Sequence, residues 1–469
     1  MTLDDVLSVG SELSVFLAEF GDCFGRTEPR RKMKVYVGGQ VSDLPRKSVE
    51  PIALAAGLRP RTLQEFLASD LWDEDRLRQH TARIVVRDHA DPQAIGIIDE
   101  SGHPKKGSET AGVGRQYCGN TGKIDNCVMT VHLVYTSFDG EFRTMLDSEV
   151  YLPKSWDEDR ERCRGAGIPD EVIYRPKYDI ALSQLDRAVA AGVRFSWITA
   201  DEWYTQKPAF VRGLEERGQR FVLEMPRNFA LWLHDPGVLP ETAAKRVDTL
   251  CRYSRGMMRQ PWQKYHIKDT DKGPMVWEVK VARCWLPRGD GVAGPYWLIM
   301  ARNALDPSEG KYFLSNAGAG VPLAVILHVA FGRWPVERVL EDEKSELGLS
   351  HFEARGWMAV KRHLLLTQVS HLFLVRQTSR LRGEKPGGDA ASGARGRGRG
   401  HRDARSARTG THRTTAASGR TSPILADQKR PGSEESHGDP QRKTQGTPNQ
   451  SHPTPPLPSQ LMTKGALSY

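Results

Sequence analysis

Two short apolar runs that each end in a carboxylate constrain this chain more than any other feature. AIGIID (94–99) and FSWITAD (195–201) have the β-rich composition of strands, and each stops at an aspartate. Asp99 and Asp201 therefore occupy equivalent places at two strand ends. Between them, NCVMTVHLVYTS (126–137) and FRTMLDSEVYL (142–152) read as a meander turned by FDGE, and YDIALSQLDRAVAAG (178–192) reads as an amphipathic helix stopped by Gly192. The class is α/β. A carboxylate at the tip of a buried strand is costly unless it is paired, caps a helix or binds a metal. Two such tips can meet at one sheet edge, where their repulsion raises both pKa values and is relieved by Mg²⁺ or Mn²⁺. Ions held ~3.5–4 Å apart by carboxylates suit phosphoryl transfer. By position alone, either aspartate could equally be a helix N-cap.

A third acid lies far downstream. In HVAFGRWPVERVLEDEKSELGLSHFEARGWMAVKRHLLLTQVSHLFLVRQ, Pro335 can open a helix on which Arg333, Glu337 and Lys344 stand as R-x3-E-x6-K. Seven positions separate Glu337 from Lys344, so they share a helix face, with Arg333 just ahead. One carboxylate flanked by two cations can hold a metal while the bases hold phosphates. A surface lattice of ion pairs with Glu341, Asp342 and Glu343 is the competing reading.

The formal charge of +9 is confined to one end. Residues 377–469 contain 16 Lys+Arg against 7 Asp+Glu, whereas 1–376 contains 51 of each. A neutral body attracts nucleic acid only through bases clustered on one face. The end segment, with runs such as GGDAASGARGRGRGHRDARSARTG, has too few large apolar residues to offset the entropy of ordering, and all eleven tryptophans lie at or before Trp357. It reads as a disordered basic tail, either frameshifted or native and holding nucleic acid non-specifically. Residues 45–90 read as helices punctuated by Gly57 and Pro60, with Asp73 as a cap; Ala53, Gly57 and Leu63 have helix-turn-helix spacing, open equally to plain packing. No run approaches the ~18 apolar residues of a membrane span, and the acidic start is unlike a secretory signal, so a cytoplasmic protein with reduced cysteines is expected. Cys118 and Cys127 lack a CxxC set and read as buried thiols rather than zinc ligands.

Taken in order, IIDESGHPKKG, VGRQYCGNTGKIDNC, YLPKSWDEDRERCRGAGIP, ITADEWY and RWPVERVLEDEKSELGLSHFEARGW resemble a bacterial insertion-sequence transposase of the DDE superfamily, in the group with a YREK signature, over about residues 30–376. The resemblance implies a ribonuclease H-like catalytic domain whose catalytic, metal-holding acids are Asp99, Asp201 and Glu337, with Arg333 and Lys344 as the signature's bases. The signature's Tyr falls on Ala330, beside Phe331. The expected organisation is an N-terminal helical domain, a candidate for DNA binding (1–90), the catalytic domain's first part (91–228), a β-rich insertion (229–318), a helical part carrying Glu337 (319–376) and the tail (377–469). The 136 positions between Asp201 and Glu337 accommodate that insertion, in which MVWEVKVARCWL and PYWLIMARNAL read as strands.

The implied activity is metal-dependent cleavage at transposon ends and strand transfer into target DNA. It would use Mg²⁺ or Mn²⁺, two ions, on double-stranded DNA bearing terminal inverted repeats, with a homodimer in the synaptic complex at the bacterial nucleoid. A DNA-binding remnant without activity is the alternative. Lys105, Lys106, Arg115 and Lys123, around two glycine-rich turns after the first strand, are candidate phosphate contacts. Trp334 is either core or a face on which a displaced base stacks. GVGRQYCG lacks the GxGxxG order of a dinucleotide loop. A glycosidase using Asp99 and Glu100 is excluded because adjacent strand residues point to opposite faces.

Overall fold

The computed structural model describes residues 3–238, 243–270, 273–289 and 291–383. Five helices come first: α1 (Leu3–Ala18), α2 (Thr27–Val41), α3 (Val49–Ala55), α4 (Pro60–Ala68) and α5 (Glu74–His89). Their boundaries follow from local chemistry. Pro60 sits in the first turn of α4, where its missing N–H costs nothing. The Asp73 carboxylate accepts the Arg76 N–H at 2.8 Å and caps α5. Gly57 takes a left-handed φ of 68° between α3 and α4, and Ala53 and Leu63 on either side of that turn are buried.

The chain then alternates strands and helices: β1 (Ile95–Pro104), β2 (Val113–Cys118), β3 (Lys123–Thr136), β4 (Arg143–Val150), α6 (Lys154–Asp157), α7 (Arg160–Gly165), α8 (Lys177–Ala190), β5 (Trp197–Ala200), α9 (Glu202–Thr205), α10 (Pro208–Glu216) and β6 (Phe221–Met225). After β7 (Ala230–Leu231), β8 (Lys245–Arg246), α11 (Val247–Tyr253) and α12 (Arg255–Arg259) come four more strands, β9 (Gln263–Thr270), β10 (Gly273–Arg288), β11 (Gly291–Asn303) and β12 (Gly310–Ser315). Three helices follow: α13 (Leu323–Phe331), α14 (Trp334–Ser345) and α15 (Trp357–Gly383).

One mixed sheet carries most of these strands, in the order β2-β3-β1-β5-β6-β12-β11-β10-β9. β1 pairs antiparallel with β3 and parallel with β5, and β5 pairs parallel with β6. β2 and β4 share the edge of β3 opposite β1, each covering a different stretch of it. The expected insertion strands are present, with β10 and β11 paired antiparallel. They do not form a sheet of their own, because β12 pairs with β6 and extends the central sheet. That pairing gives the β6 edge a partner for its backbone N–H and C=O groups.

Strand alternation decides which side chains face which layer. Ile98, Ile198, Ala200, Phe221 and Leu223 pack into a core shared with the N-terminal helices, α8, α10 and part of α15. Ile95, Ile97, Trp197 and Val222 face a second core built with α13 and α14. Asp99, Asp201 and Glu224 share the parity of that second set. The sheet thus presents three acids on the side where α14 lies.

Helix α15 continues past residue 376, where a tail was expected to begin. Its polar end stays helical because ion pairs hold it to other helices: Arg376 meets Glu19 and Asp88, and Arg380 meets Glu12. Residues 384–469, and with them the reading of a disordered or frameshifted tail, lie outside the described residues. All six cysteines are free and buried. Among the described residues, no helix is long and apolar enough to cross a membrane.

Candidate active site

Asp99 lies midway along β1 rather than at its end, because residues 100–104 continue the strand by pairing with residues 127–131 of β3, and it stands directly across from His132. Its Oδ1 accepts the Glu100 N–H at 2.8 Å and its Oδ2 accepts from Arg333 Nη1 at 3.1 Å. The carboxylate is only 15% exposed. Burial pushes its pKa up to about 7; the Arg333 guanidinium opposes this rise and the Asp201 charge adds to it. Asp201 follows β5 and caps α9, its Oδ1 accepting from the N–H groups of Trp203 at 3.0 Å and Tyr204 at 3.4 Å. The two readings of a strand-end aspartate therefore coexist: this residue is an N-cap and also faces the acids. Its pKa is raised as well, by burial first, against the lowering effect of Arg333.

Glu337 stands in the first turn of α14, 56% exposed, with Oε1 3.5 Å from Arg333 Nη2. Arg333 is the hub. Its half-buried guanidinium touches Asp99, Glu337 and, at 3.9 Å, Glu224, and lies within electrostatic reach of Asp201. Asp99, Asp201 and Glu337 thus come together from three distant parts of the chain. The oxygens of Asp99 and Glu337 meet the guanidinium rather than one another, and Asp201 stands within its electrostatic reach. Among the described residues, the three-residue group of His, Cys, Asp or Glu whose ligand atoms lie within 4.8 Å of one another is Asp22, Cys23 and His80. There Asp22 already pairs with His80 and Arg76.

Glu224 escaped notice in the sequence, although FVLEM places an acid near the end of an apolar run, the same signal that marks Asp99 and Asp201. Lys311 on β12 pairs with it at 2.7 Å. His132 was also missed. It joins a buried relay in which Thr130 Oγ1 lies 2.7 Å from His132 Nε2 and 2.9 Å from His103 Nε2, and His103 Nδ1 lies 2.8 Å from Ser350 Oγ. Burial holds His132 down to about 3, so it is neutral at physiological pH. A histidine inside an apolar strand carries no sequence mark that separates it from ordinary core.

Among the proposed DNA contacts, Lys344 lies near Asp99, its pKa lowered by burial against the opposing pull of that carboxylate, and it donates to Asn120 Oδ1 at 2.8 Å. Lys105 is half-buried, donates to the Phe352 carbonyl at 2.6 Å and sits over the Phe352 ring. Burial brings it down to about 8. Lys106, Arg115 and Lys123 are exposed. Trp334 begins α14, and its side chain lies outside the described residues. At the signature's Tyr position, Ala330 is buried, and the neighbouring Phe331 packs against Trp277 and Phe313.

The donors available to a cation are carboxylate oxygens, the hard ligands that Mg²⁺ and Mn²⁺ prefer. Burial holds the Asp99 carboxyl near 7 even with a guanidinium at 3.1 Å, and a cation bound beside it would lower that value. In donor chemistry, though not in mutual distance, these carboxylates suit a divalent ion.

The chain resembles known proteins over much of its length. The family described as DDE superfamily endonuclease matches residues 19–277, a span that holds Asp99 and Asp201 and stops before Glu337. The chain is 29% identical over 317 residues to the "Probable transposase for insertion sequence element IS701" of Microchaete diplosiphon, covering 67% of this chain and 74% of that protein. Among solved structures, the NurA nuclease from Sulfolobus solfataricus aligns with 63% of this chain and 86% of its own at 10% identity and a TM-score of 0.26, too slight a likeness to bear on fold or function. With more than half of its length matched, the chain belongs to the DDE superfamily endonucleases.

Proposed function

We propose that this protein is a transposase that cuts DNA at the ends of an insertion element and joins the freed 3′-hydroxyl to target DNA. The observation that carries the reading is the convergence of Asp99, Asp201 and Glu337 on Arg333, on one face of one sheet. The strand order β4-β3-β1-β5-β6, with its first three strands antiparallel and the next two added in parallel, supports a ribonuclease H-like arrangement of that face. The similarity to the IS701 transposase supports an insertion element as the substrate.

Asp99, Asp201 and Glu337 would hold Mg²⁺ or Mn²⁺, as one or two ions. Bound there, such ions supply Lewis-acid polarisation of a phosphate and a more acidic water. Arg333 presents a planar fork that suits phosphate oxygens as well as carboxylates, so it can exchange Asp99 for the DNA backbone as substrate enters. Lys344, within electrostatic reach of the same carboxylate, is placed to neutralise a second phosphate oxygen. The neutral His132 relay beneath Asp99 adds no competing charge. Joining two ends to one target calls for two copies of the chain, so a dimer on paired ends is part of the proposal.

The test is cleavage of DNA carrying the inverted repeats that flank the protein's own gene, with Mg²⁺ or Mn²⁺. Nicking at the repeat boundary by the wild type, lost in both Asp99→Asn and Glu337→Gln while binding persists, is the expected result. Binding without metal-dependent nicking by the wild type would instead select a DNA-binding remnant.

A further inference from the structure

We propose that the β2–β3 hairpin is a wedge that enters the DNA end beside the carboxylates and holds its terminal base pairs apart, an inference that rests on the transposase reading and assigns the hairpin a task within it.

Tyr117 and Ile124 are cross-strand partners near the tip of this hairpin, so their side chains lie on one face, and each is 62% exposed. The other apolar partners in the ribbon, Val113 with Val128, are buried, as are Cys118 and Cys127. An aromatic and a branched aliphatic side chain held side by side in water have no role in the fold's own packing. Their neighbours indicate the occupant. Arg115, exposed, shares their face two residues away, and Lys123, exposed, precedes Ile124. Cations around an apolar pair fit phosphates around a base: the ring can stack on an unpaired base and the aliphatic side chain can lodge between base steps.

The hairpin is also fastened to the site. Asn120 in its turn accepts the Lys344 ammonium at 2.8 Å, and Lys344 feels the charge of Asp99. Gly102, three residues after Asp99, leaves room for the hairpin to press close: a Cβ there would lie 2.6 Å from Cys118 Sγ and 3.2 Å from Cys118 Cα. Cys118, Cys127 and Met129 form a small core of their own beneath the ribbon. A rigid, basic-flanked apolar tip tied to the catalytic helix suits a strained DNA end better than a protein partner.

The experiment compares two DNA ends in the cleavage assay, one fully paired and one with its three terminal pairs mismatched, using the wild type, Tyr117→Phe and the double variant Tyr117→Ser/Ile124→Ser. All three substitutions replace exposed side chains, and unchanged thermal unfolding confirms the fold. The double variant is expected to cut the paired end about tenfold more slowly and the mismatched end at the wild-type rate, with Tyr117→Phe near wild type on both. Equal slowing on both ends, or no slowing on the paired end, overturns the wedge while leaving the transposase reading in place. A wild type that cuts neither end overturns the transposase reading, and the wedge with it.

Discussion

Replacing Arg333 with glutamine removes the guanidinium that bridges the carboxylates, and the distances set the size of the effect. Asp99 lies at 3.1 Å, Glu337 at 3.5 Å and Glu224 at 3.9 Å. At an effective dielectric of ~20, a unit-charge pair at such distances attracts by roughly 4–5 kcal/mol before desolvation is subtracted. Glu337 is more than half exposed, so solvent screens most of its share. Deleting one member of a buried pair typically leaves a net loss of ~3–5 kcal/mol. In metal-free protein at alkaline pH, Arg333→Gln should therefore lose about 3 kcal/mol.

The loss depends on pH, with a definite sign. Asp99 has a folded-state pKa raised from 3.8 to about 7. Such a group contributes its full stability below the unfolded pKa and loses it as pH rises through the folded one. Arg333 opposes the rise, so without it the pKa climbs further and the decline in stability deepens above pH 7. Urea unfolding of wild type and variant in chelator should give a difference of roughly 1 kcal/mol at pH 5.5, where Asp99 is mostly neutral, growing to about 3 kcal/mol at pH 8.5. Adding Mg²⁺ at pH 8.5 should recover more stability in the variant than in the wild type, because the ion takes over the neutralising role. A difference that is the same at both pH values, or below ~1 kcal/mol at the higher one, would refute the claim that the guanidinium holds the acids together.

Asp201 combines a cap with a candidate ligand, and two substitutions separate these roles. Asp201→Asn, which keeps a cap acceptor, should change stability by only a few tenths of a kcal/mol yet abolish metal-dependent nicking, whereas Asp201→Ala should also lose ~1 kcal/mol in urea unfolding. Gly102→Ala drives a methyl against Cys118 and should cost ~1–3 kcal/mol of strain. Hydrogen exchange should show that loss as faster exchange in 113–128 than elsewhere in the sheet; uniform acceleration would contradict a local clash.

The amino-acid sequence by itself determined the apolar run that carries Asp99, the strand that ends at Asp201, the cap at Asp73, the helix opened at Pro335 and the alternation that sets which face each strand side chain meets. These are local matters, decided by apolar periodicity, proline geometry and short-range hydrogen bonding, and the R-x3-E-x6-K spacing belongs with them. Only the tertiary structure decided that the strands of the expected insertion extend the central sheet, that α15 runs beyond residue 376 on ion pairs to helices near the N-terminus, and that Glu224 and His132 stand beside the acids. It also decided that Arg333 lies among the carboxylates rather than at their margin. Each of these depends on contacts between residues tens to hundreds of positions apart, and a spacing pattern cannot encode which distant charge will come to lie among the acids.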